Sequence, residues 1–264
     1  MTGALALVSL LLGVVYTCYG VITVIDMKEG WRTRGFSHFG AAWITMAFTC
    51  GPHHFEHGLH LAFAGRPPGP LEFVTVVAGL PAGAIWFLLR VEAVAGGRGD
   101  RFVAGTPPWV AALPWLAAAY LGAVVVFTGA LLLGGGTFRP TMVPNIILIG
   151  LYMTIGWHLL VAQLQAREPR GGWSVSGLAL TFVFPTCAVM HGVWVLYAFL
   201  GKYDVDVHGL VIDWLSVPAS FYFLWVVRSL QLGTGTDWNE DVPSIAMPER
   251  NPSSVGVDVE PAVS

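Results

Sequence analysis

Charged residues are scarce in this sequence. Of its 264 residues, 13 are Lys or Arg and 16 are Asp or Glu, a charged share of only 11%. Soluble domains carry about 25% charged residues, whereas here 55% of the residues are hydrophobic and the mean hydropathy is +0.67. A soluble domain of this size is therefore excluded, and a lipid bilayer is the expected solvent of the chain. The absence of any basic run also excludes a nucleic-acid partner.

Cysteine and N-terminal positive charge are scarce as well. The three cysteines, Cys18, Cys50 and Cys187, all lie in apolar segments rather than in loops, which argues against a disulfide framework. No basic residue precedes the first apolar run. A cleaved secretory signal normally begins with positive charge, so this run is predicted to be a retained first span.

Seven apolar segments are long enough to cross a bilayer, which takes about 20 residues each. Short polar or Gly/Pro-rich connections separate them, and the alternation of a β-barrel does not occur. The sequence therefore predicts an all-α, polytopic membrane bundle of about seven transmembrane helices, formed by residues 1–231. The predicted spans are 3–25, 36–64, 71–95, 108–134, 142–165, 173–200 and 208–231.

The last part of the chain differs in composition. Residues 232–264 contain six acidic residues and one base and are rich in Pro, Ser and Gly. Such a composition does not bury enough apolar surface to fold. We expect a disordered acidic tail, which lies in the cytoplasm according to the orientation that follows.

Basic residues near the span ends predict the orientation, because cytoplasmic connections carry an excess of Lys and Arg. Nine basic residues lie in the first, third and fifth connections and after the last span, and three lie in the others. This distribution predicts a multi-pass plasma-membrane protein with its N-terminus outside and its C-terminus in the cytoplasm.

Similar motifs in the two halves of the chain suggest an internal repeat. The second and sixth predicted spans share a Thr/Cys/Pro combination followed by His-Gly, at His57-Gly58 and His191-Gly192. The third and seventh share Pro-Ala followed by an arginine, Arg90 or Arg228. The members of each pair are four helices apart, which predicts a 3+1+3 parallel repeat. Parallel repeats occur in transporters, where broken helices in matching positions mark the binding site. The alternative is that Pro, Gly and Cys are simply common in membrane helices.

The second span concentrates four histidines, a glutamate and a cysteine within a few turns of helix. At 100° per residue, His53, His57 and His60 fall within roughly 60° of one another, and Cys50 and Glu56 flank them. Ionisable side chains in hydrocarbon are costly and point to a functional site. Imidazole, carboxylate and thiolate on one face are the ligand types of a transition-metal site. Gly51-Pro52 is expected to loosen the helix just before the cluster.

Other ligands are expected from facing helices, at the outer ends of the spans. We predict a metal site whose ligands are His53, His57, His60, His191 and His208. Side chains expected to support these ligands or to replace them are Cys50, His54, Glu72, Cys187 and Asp213. The predicted metal is zinc, copper or iron. Haem is an alternative that requires single histidines facing each other across helices, such as His57 and His191.

The segment His53-His54-Phe55-Glu56-His57 also fits the H-x-x-E-H pattern of inverted zincins, in which the glutamate is the base. Those enzymes are soluble, and no acidic residue occurs between Asp100 and Glu168 to supply a downstream ligand. The spacing therefore indicates permitted chemistry rather than membership of that family. Two other interpretations of the cluster remain open: a proton or substrate path, and a set of interfacial histidines beyond a span that ends at Pro52.

Two functions follow from these features. The first is a metal-dependent membrane enzyme, a hydrolase or oxidoreductase acting on a lipid-like or small substrate, with Glu56 as catalytic acid/base. The second is a transporter or chaperone for a transition metal or small solute that uses the same outward-facing site. A retinal protein is disfavoured, because the last span, 208–231, contains no lysine for a Schiff base.

Overall fold

In a computed structural model, the chain forms an all-helical bundle. The structure describes residues 2–63, 69–106, 137–202, 207–235 and 237, together with isolated positions between 108 and 133. Six helices cover most of these residues. They are α1 (Thr2–Arg34), α2 (His38–Phe63), α3 (Pro70–Val94), α4 (Val143–Ala166), α5 (Val175–Phe199) and α6 (Val207–Gln231).

The shorter elements lie at helix ends. A 3-10 turn, Pro140–Met142, leads into α4. Two short strands, β1 (Phe102–Val103) and β2 (Trp173–Ser174), pair antiparallel, with Phe102 opposite Ser174. The Asp100 carboxylate accepts hydrogen bonds from Ser174 Oγ and from the backbone N–H of Ser176. These contacts fix the connection after α3 to the first turn of α5.

The helices pack as two sets of three. In the first set α1 contacts α2 and α3, and in the second set α4 contacts α5 and α6. The two sets meet along α2 with α6 and along α3 with α5. Aromatic rings fill the centre, where Trp43 contacts Tyr19, Trp86, Phe184 and Phe223. Packed rings of this kind bury large apolar areas and so hold the two sets together.

Five described helical segments are long and apolar enough to cross a membrane: 2–34, 70–94, 140–166, 175–199 and 208–231. This composition indicates insertion into a membrane. The second predicted span corresponds to α2, which is long enough to cross but contains five histidines and Glu56, and these lower its hydropathy. The fourth predicted span, 108–134, lies largely outside the described residues, as does most of the predicted tail. Seven spans, the orientation and the plasma membrane therefore stay predictions.

The predicted loosening of α2 at Gly51-Pro52 is not observed, since the helix continues from His38 through Pro52 to Phe63. Gly51 instead permits close packing. A Cβ at this position would lie 2.4 Å from Thr17 Oγ1 on α1, and one at Gly58 would lie 2.8 Å from Leu10 Cγ. These distances are far below van der Waals contact, so α1 and α2 approach each other this closely only with glycine.

Candidate functional site

A buried carboxylate joins the two sets of helices. Asp213 on α6 is fully buried, and its Oδ1 atom lies 3.2 Å from Nδ1 of His53 on α2. Its other oxygen, Oδ2, accepts a 2.6 Å hydrogen bond from the Asn145 side-chain nitrogen on α4. Like the His57–Glu72 contact below, the His53–Asp213 contact is not aligned as a hydrogen bond, because Oδ1 of Asp213 has no hydrogen-bond partner among the described residues. His53 turns Nδ1 towards the carboxylate and so turns Nε2 away from it.

Asn145 extends this contact to a second histidine. Because its amide nitrogen faces Asp213, its oxygen faces Nδ1 of His191 on α5 and accepts a hydrogen bond from it. Asn145 and His191 are both buried. Four polar side chains from four helices thus form one chain, which we call the histidine network: His53, Asp213, Asn145 and His191. In this arrangement both histidines use Nδ1 to contact a partner and keep Nε2.

A second imidazole–carboxylate pair lies one turn further along α2. Nε2 of His57 is 3.0 Å from Oε1 of Glu72 on α3, although the atoms are not aligned for a hydrogen bond. Oε2 of Glu72 accepts a hydrogen bond from the backbone N–H of Gly69. Both side chains are buried. Burying an unpaired charge is costly, so pairing is the arrangement that these two groups require.

Trp194 of α5 covers the network. Its ring stacks on His53 with a centroid separation of 4.6 Å and an interplanar angle of 11°. The rings of His57 and His191 lie 5.3 Å and 5.2 Å from it. The indole is 2% exposed, so it separates three imidazoles from solvent. It also fixes the plane of the His53 ring.

Below the network, towards the bundle centre, two tyrosines occupy similar positions on opposite sides. The ring of Tyr16 lies 5.6 Å from that of His54, and the ring of Tyr152 lies 5.4 Å from that of His191. The Tyr152 hydroxyl is 3.6 Å from the Cys50 sulfur, and Tyr16 lines cavities together with Cys187. Nδ1 of the buried His54 has no hydrogen-bond partner among the described residues.

Three cavities follow one another along the bundle. The cavity beside the network is about 10 Å³, near the size that holds one water, and His53, His54 and His191 are among its lining residues. A second cavity of about 10 Å³ shares Cys50, Tyr152 and Cys187 with the first. The third is about 250 Å³ and shares Trp43 with the second. It lies at the opposite end of the bundle, where α1 ends and α2 begins.

Ion pairs line the third cavity, the largest of these three, which we call the vestibule. Arg90 on α3 forms an ion pair with Asp26 on α1, and Arg34 lies 3.6 Å from the same carboxylate. Asp237, from the segment after α6, accepts hydrogen bonds from Ser37 Oγ and from the first turn of α2. Asp26 and Arg90 are 64 residues apart in the chain, so only the packing of α1 against α3 brings this ion pair together.

The structure brings several predicted site residues together and separates others. Buried residues from the predicted set that contact one another or line the same cavities are His53, His54, His57, Glu72, Cys187, His191 and Asp213, with the half-buried Cys50 beside them. Glu56 and His60 are half-buried on α2. His208 is exposed at the start of α6 and lies outside the network. Helical periodicity gives the face of a residue but not what covers that face.

Sequence reasoning missed four residues of the site: Asn145, Trp194, Tyr16 and Tyr152. Asn145 had a usable signal, because it is a polar side chain near the start of an apolar helix. Trp194 had a signal too, since it lies one turn after His191. The two tyrosines follow no motif that identifies them before the helices are packed.

The predicted metal site was compared with this arrangement. Within the described parts of the chain, no three His, Cys, Asp or Glu side chains form a group that could hold a metal ion. Two predicted ligands contact carboxylates instead, His53 with Asp213 and His57 with Glu72. The described geometry is therefore that of paired imidazoles and carboxylates rather than of a preformed metal centre.

No family model matches the chain, and neither a curated protein nor a solved structure is significantly similar to it. The conclusion therefore rests on the molecule alone. The protein is all-helical, it has helices apolar enough to cross a membrane, and it encloses the histidine network.

Proposed function

We propose that this protein is a membrane transporter for a transition-metal cation, and that the histidine network is its cation gate. The observation that carries this proposal is the row of cavities between the network and the vestibule. Each neighbouring pair of cavities shares lining residues, Trp43 in one case and Cys50, Tyr152 and Cys187 in the other. An enzyme site needs access from one side only, whereas a row of cavities along the bundle suits a path.

The residues along this row favour a cation. Asp213 and Glu72 place two carboxylates among imidazoles at one end, and Asp26 adds a third at the other. Intramembrane carboxylates and histidines mark ion pathways and proton relays. Imidazole and thiol side chains suit transition metals better than Mg²⁺ or Ca²⁺. A metal ion is therefore the solute that fits the donor set.

Alternating access has a structural basis in the packing of the two helix sets. The His53–Asp213 contact joins α2 of the first set to α6 of the second. A cation that replaces the proton on His53 or engages Asp213 removes this link. In the described arrangement the vestibule is large and the network cavity small, so the network is the closed end.

The internal repeat predicted from the sequence belongs to this proposal, and the helix packing supports it. If the two helix sets are exchanged, the α1–α2 contact becomes α4–α5, α1–α3 becomes α4–α6, and α3–α5 becomes α6–α2. The same exchange relates the Tyr16–His54 pair to the Tyr152–His191 pair. In this version of the repeat His54 corresponds to His191, whereas the sequence motifs pair His57 with His191. Transporters built from such repeats bind their substrates near the bilayer midplane, between the repeats.

The test is uptake of Zn²⁺ into proteoliposomes that contain a zinc-sensitive dye. The wild type is expected to raise the initial rate well above that of empty liposomes, and His53→Ala and Asp213→Asn to lower it about tenfold, a change of about 1.4 kcal/mol. His208→Ala is the matched control, because this histidine is exposed and lies outside the network. Wild-type rates equal to those of empty liposomes for Zn²⁺, Mn²⁺ and Cu⁺ would refute the proposal.

A resident metal is a second candidate, which one observation favours. His53 and His191 both use Nδ1 to contact a partner and keep Nε2, the arrangement that orients metal-binding histidines in many sites. A bound metal would lower the pKa of a water or polarise a substrate, and Glu56 would serve as acid/base of the predicted membrane enzyme. A small or lipid-like substrate, zinc, copper or iron, and the alternative of haem all remain proposals.

Elemental analysis tests this second candidate. Metal that remains through purification at about one atom per chain, and that falls in a His53→Ala/His191→Ala variant, supports a resident metal. Equal, near-zero metal in both preparations excludes it. Given bound metal, Glu56→Gln should keep the metal and abolish any hydrolytic or redox activity. Unchanged activity would remove Glu56 from the mechanism.

A further inference from the structure

Sulfur atoms are concentrated midway between the network and the vestibule. Cys50 and Cys187 line both of the small cavities, which are the narrow part of the row. Met46 lines one of these cavities and Met190 the other. Two thiols from α2 and α5, each accompanied by a thioether from its own helix, therefore surround the same short stretch of the bundle.

The two thiols occupy equivalent positions in the two helix sets. A buried tyrosine of the opposite set lies near each of them: the Tyr152 hydroxyl is 3.6 Å from the Cys50 sulfur, and Tyr16 lines one small cavity together with Cys187. Thr49 precedes Cys50 and Thr186 precedes Cys187, and a histidine follows each cysteine by four residues. Two cysteines with such similar surroundings, lining the same cavities, differ from scattered packing residues.

An unpartnered polar atom lies beside these thiols. The His54 ring is 3% exposed, and its Nδ1 atom has no hydrogen-bond partner among the described residues. His54 lines the network cavity together with both cysteines. A buried polar group without a partner is unfavourable, so a ligand or a water in this cavity would satisfy an atom that now has no hydrogen-bond partner.

We propose that Cys50 and Cys187, supported by Met46 and Met190, form a binding site for a soft monovalent cation, Cu⁺ or Ag⁺, at the midpoint of the bundle. Thiolate and thioether ligands select Cu⁺ over harder cations. A cation with one charge and two thiolates needs few further ligands, which fits a cavity of about 10 Å³. Binding displaces the protons of the two thiols, which leave to solvent, and no electron is transferred.

If the protein is the proposed transporter, this site identifies Cu⁺ as its substrate, and to that extent the inference rests on the proposed function. The site itself is tested by equilibrium binding alone. If Cu⁺ binds and no cation is transported, the transport proposal fails and the site stands. If Zn²⁺ is transported through the histidine network and Cu⁺ does not bind, the site fails and transport stands. The two outcomes are therefore distinguishable.

The experiment is anaerobic competition for Cu⁺ between the purified full-length protein and bathocuproine disulfonate, with ascorbate as reductant. The wild type is expected to bind about one Cu⁺ per chain. The double variant Cys50→Ser/Cys187→Ser should lose at least about a hundredfold in affinity, which is about 2.7 kcal/mol. Cys18→Ser is the matched control, because Cys18 is an exposed cysteine on α1. Equal affinities of the wild type and the double variant overturn the proposal.

X-ray absorption of the copper-loaded wild type keeps the proposal testable even if the double variant does not fold. A first shell that contains two sulfur atoms is expected, whereas a shell of nitrogen alone would place copper on the histidines and overturn it. Met46→Leu and Met190→Leu preserve side-chain volume and should weaken binding about tenfold. No change in either variant would remove the thioethers from the site.

Discussion

Replacing Asp213 is the sharpest test of the histidine network. Its carboxylate contacts His53 at 3.2 Å and accepts a 2.6 Å hydrogen bond from Asn145, in a position that is fully buried. Asp213→Ala leaves the Asn145 amide without its acceptor and removes the carboxylate that faces His53. An unsatisfied buried polar group costs about 1–3 kcal/mol, so the lost Asn145 hydrogen bond predicts a destabilisation of about that size. The lower end is expected in detergent, because hydrogen bonds between membrane helices contribute about 0.6 kcal/mol each on average.

The assay is reversible unfolding of the purified protein in mixed micelles, followed by circular dichroism. Ser216→Ala is the matched control on the same helix, since the Ser216 hydroxyl is buried but donates to the Ile212 carbonyl within α6. We expect this control to cost less than about 1 kcal/mol. A double-mutant cycle with His53→Ala should give a coupling of about 0.5–3 kcal/mol. A loss for Asp213→Ala no larger than that of Ser216→Ala, or strict additivity with His53→Ala, would refute the network.

Two other substitutions test the packing and the vestibule. Gly51→Val places a Cβ 2.4 Å from Thr17 Oγ1, so it should lower the free energy of unfolding by about 1–3 kcal/mol. Gly150→Ala is the control, because a Cβ at this position meets nothing within 4 Å, and it should change the free energy of unfolding by less than about 1 kcal/mol. Arg90→Ala removes the ion pair with the half-buried Asp26 and should cost about 1 kcal/mol, less at high salt. Equal losses for the two glycine variants, or a salt-independent effect of Arg90→Ala, would contradict the described contacts.

Much of the helical layout was predictable from hydropathy. Five predicted spans begin and end within two residues of the helices α2 to α6, in that order. These spans are 36–64, 71–95, 142–165, 173–200 and 208–231. Among the described helices, the length of α1 alone was clearly underestimated, because this helix continues beyond the apolar segment to Arg34. A helix can continue beyond its apolar part as long as its backbone hydrogen bonds are satisfied. Hydropathy therefore predicts the apolar part of the helix and not the residue at which the helix ends.

The site was predictable only in part. The stripe on α2 predicted one face for His53, His57 and His60; of these, His53 and His57 are buried and His60 is half-buried. Asp213 and His191, which were expected near this stripe from their depth, lie beside His53, and their role towards a metal stays a prediction. The partners were not predictable, because one-dimensional periodicity carries no information on which helix faces which. His53 therefore has Asp213 as its neighbour, and the Asn145 amide lies between Asp213 and His191.

The stacking of Trp194 on His53 has an optical consequence. The protein contains 11 tryptophans, but only a ring in face-to-face contact with an imidazole responds directly to the charge of that imidazole. A cation that reaches the His53 ring, which lies 4.6 Å from the indole centroid, attracts the indole π-electrons and lowers the fluorescence yield of the indole. In a variant that keeps Trp194 as its single tryptophan, emission intensity would report the arrival of that cation in real time, without any added dye.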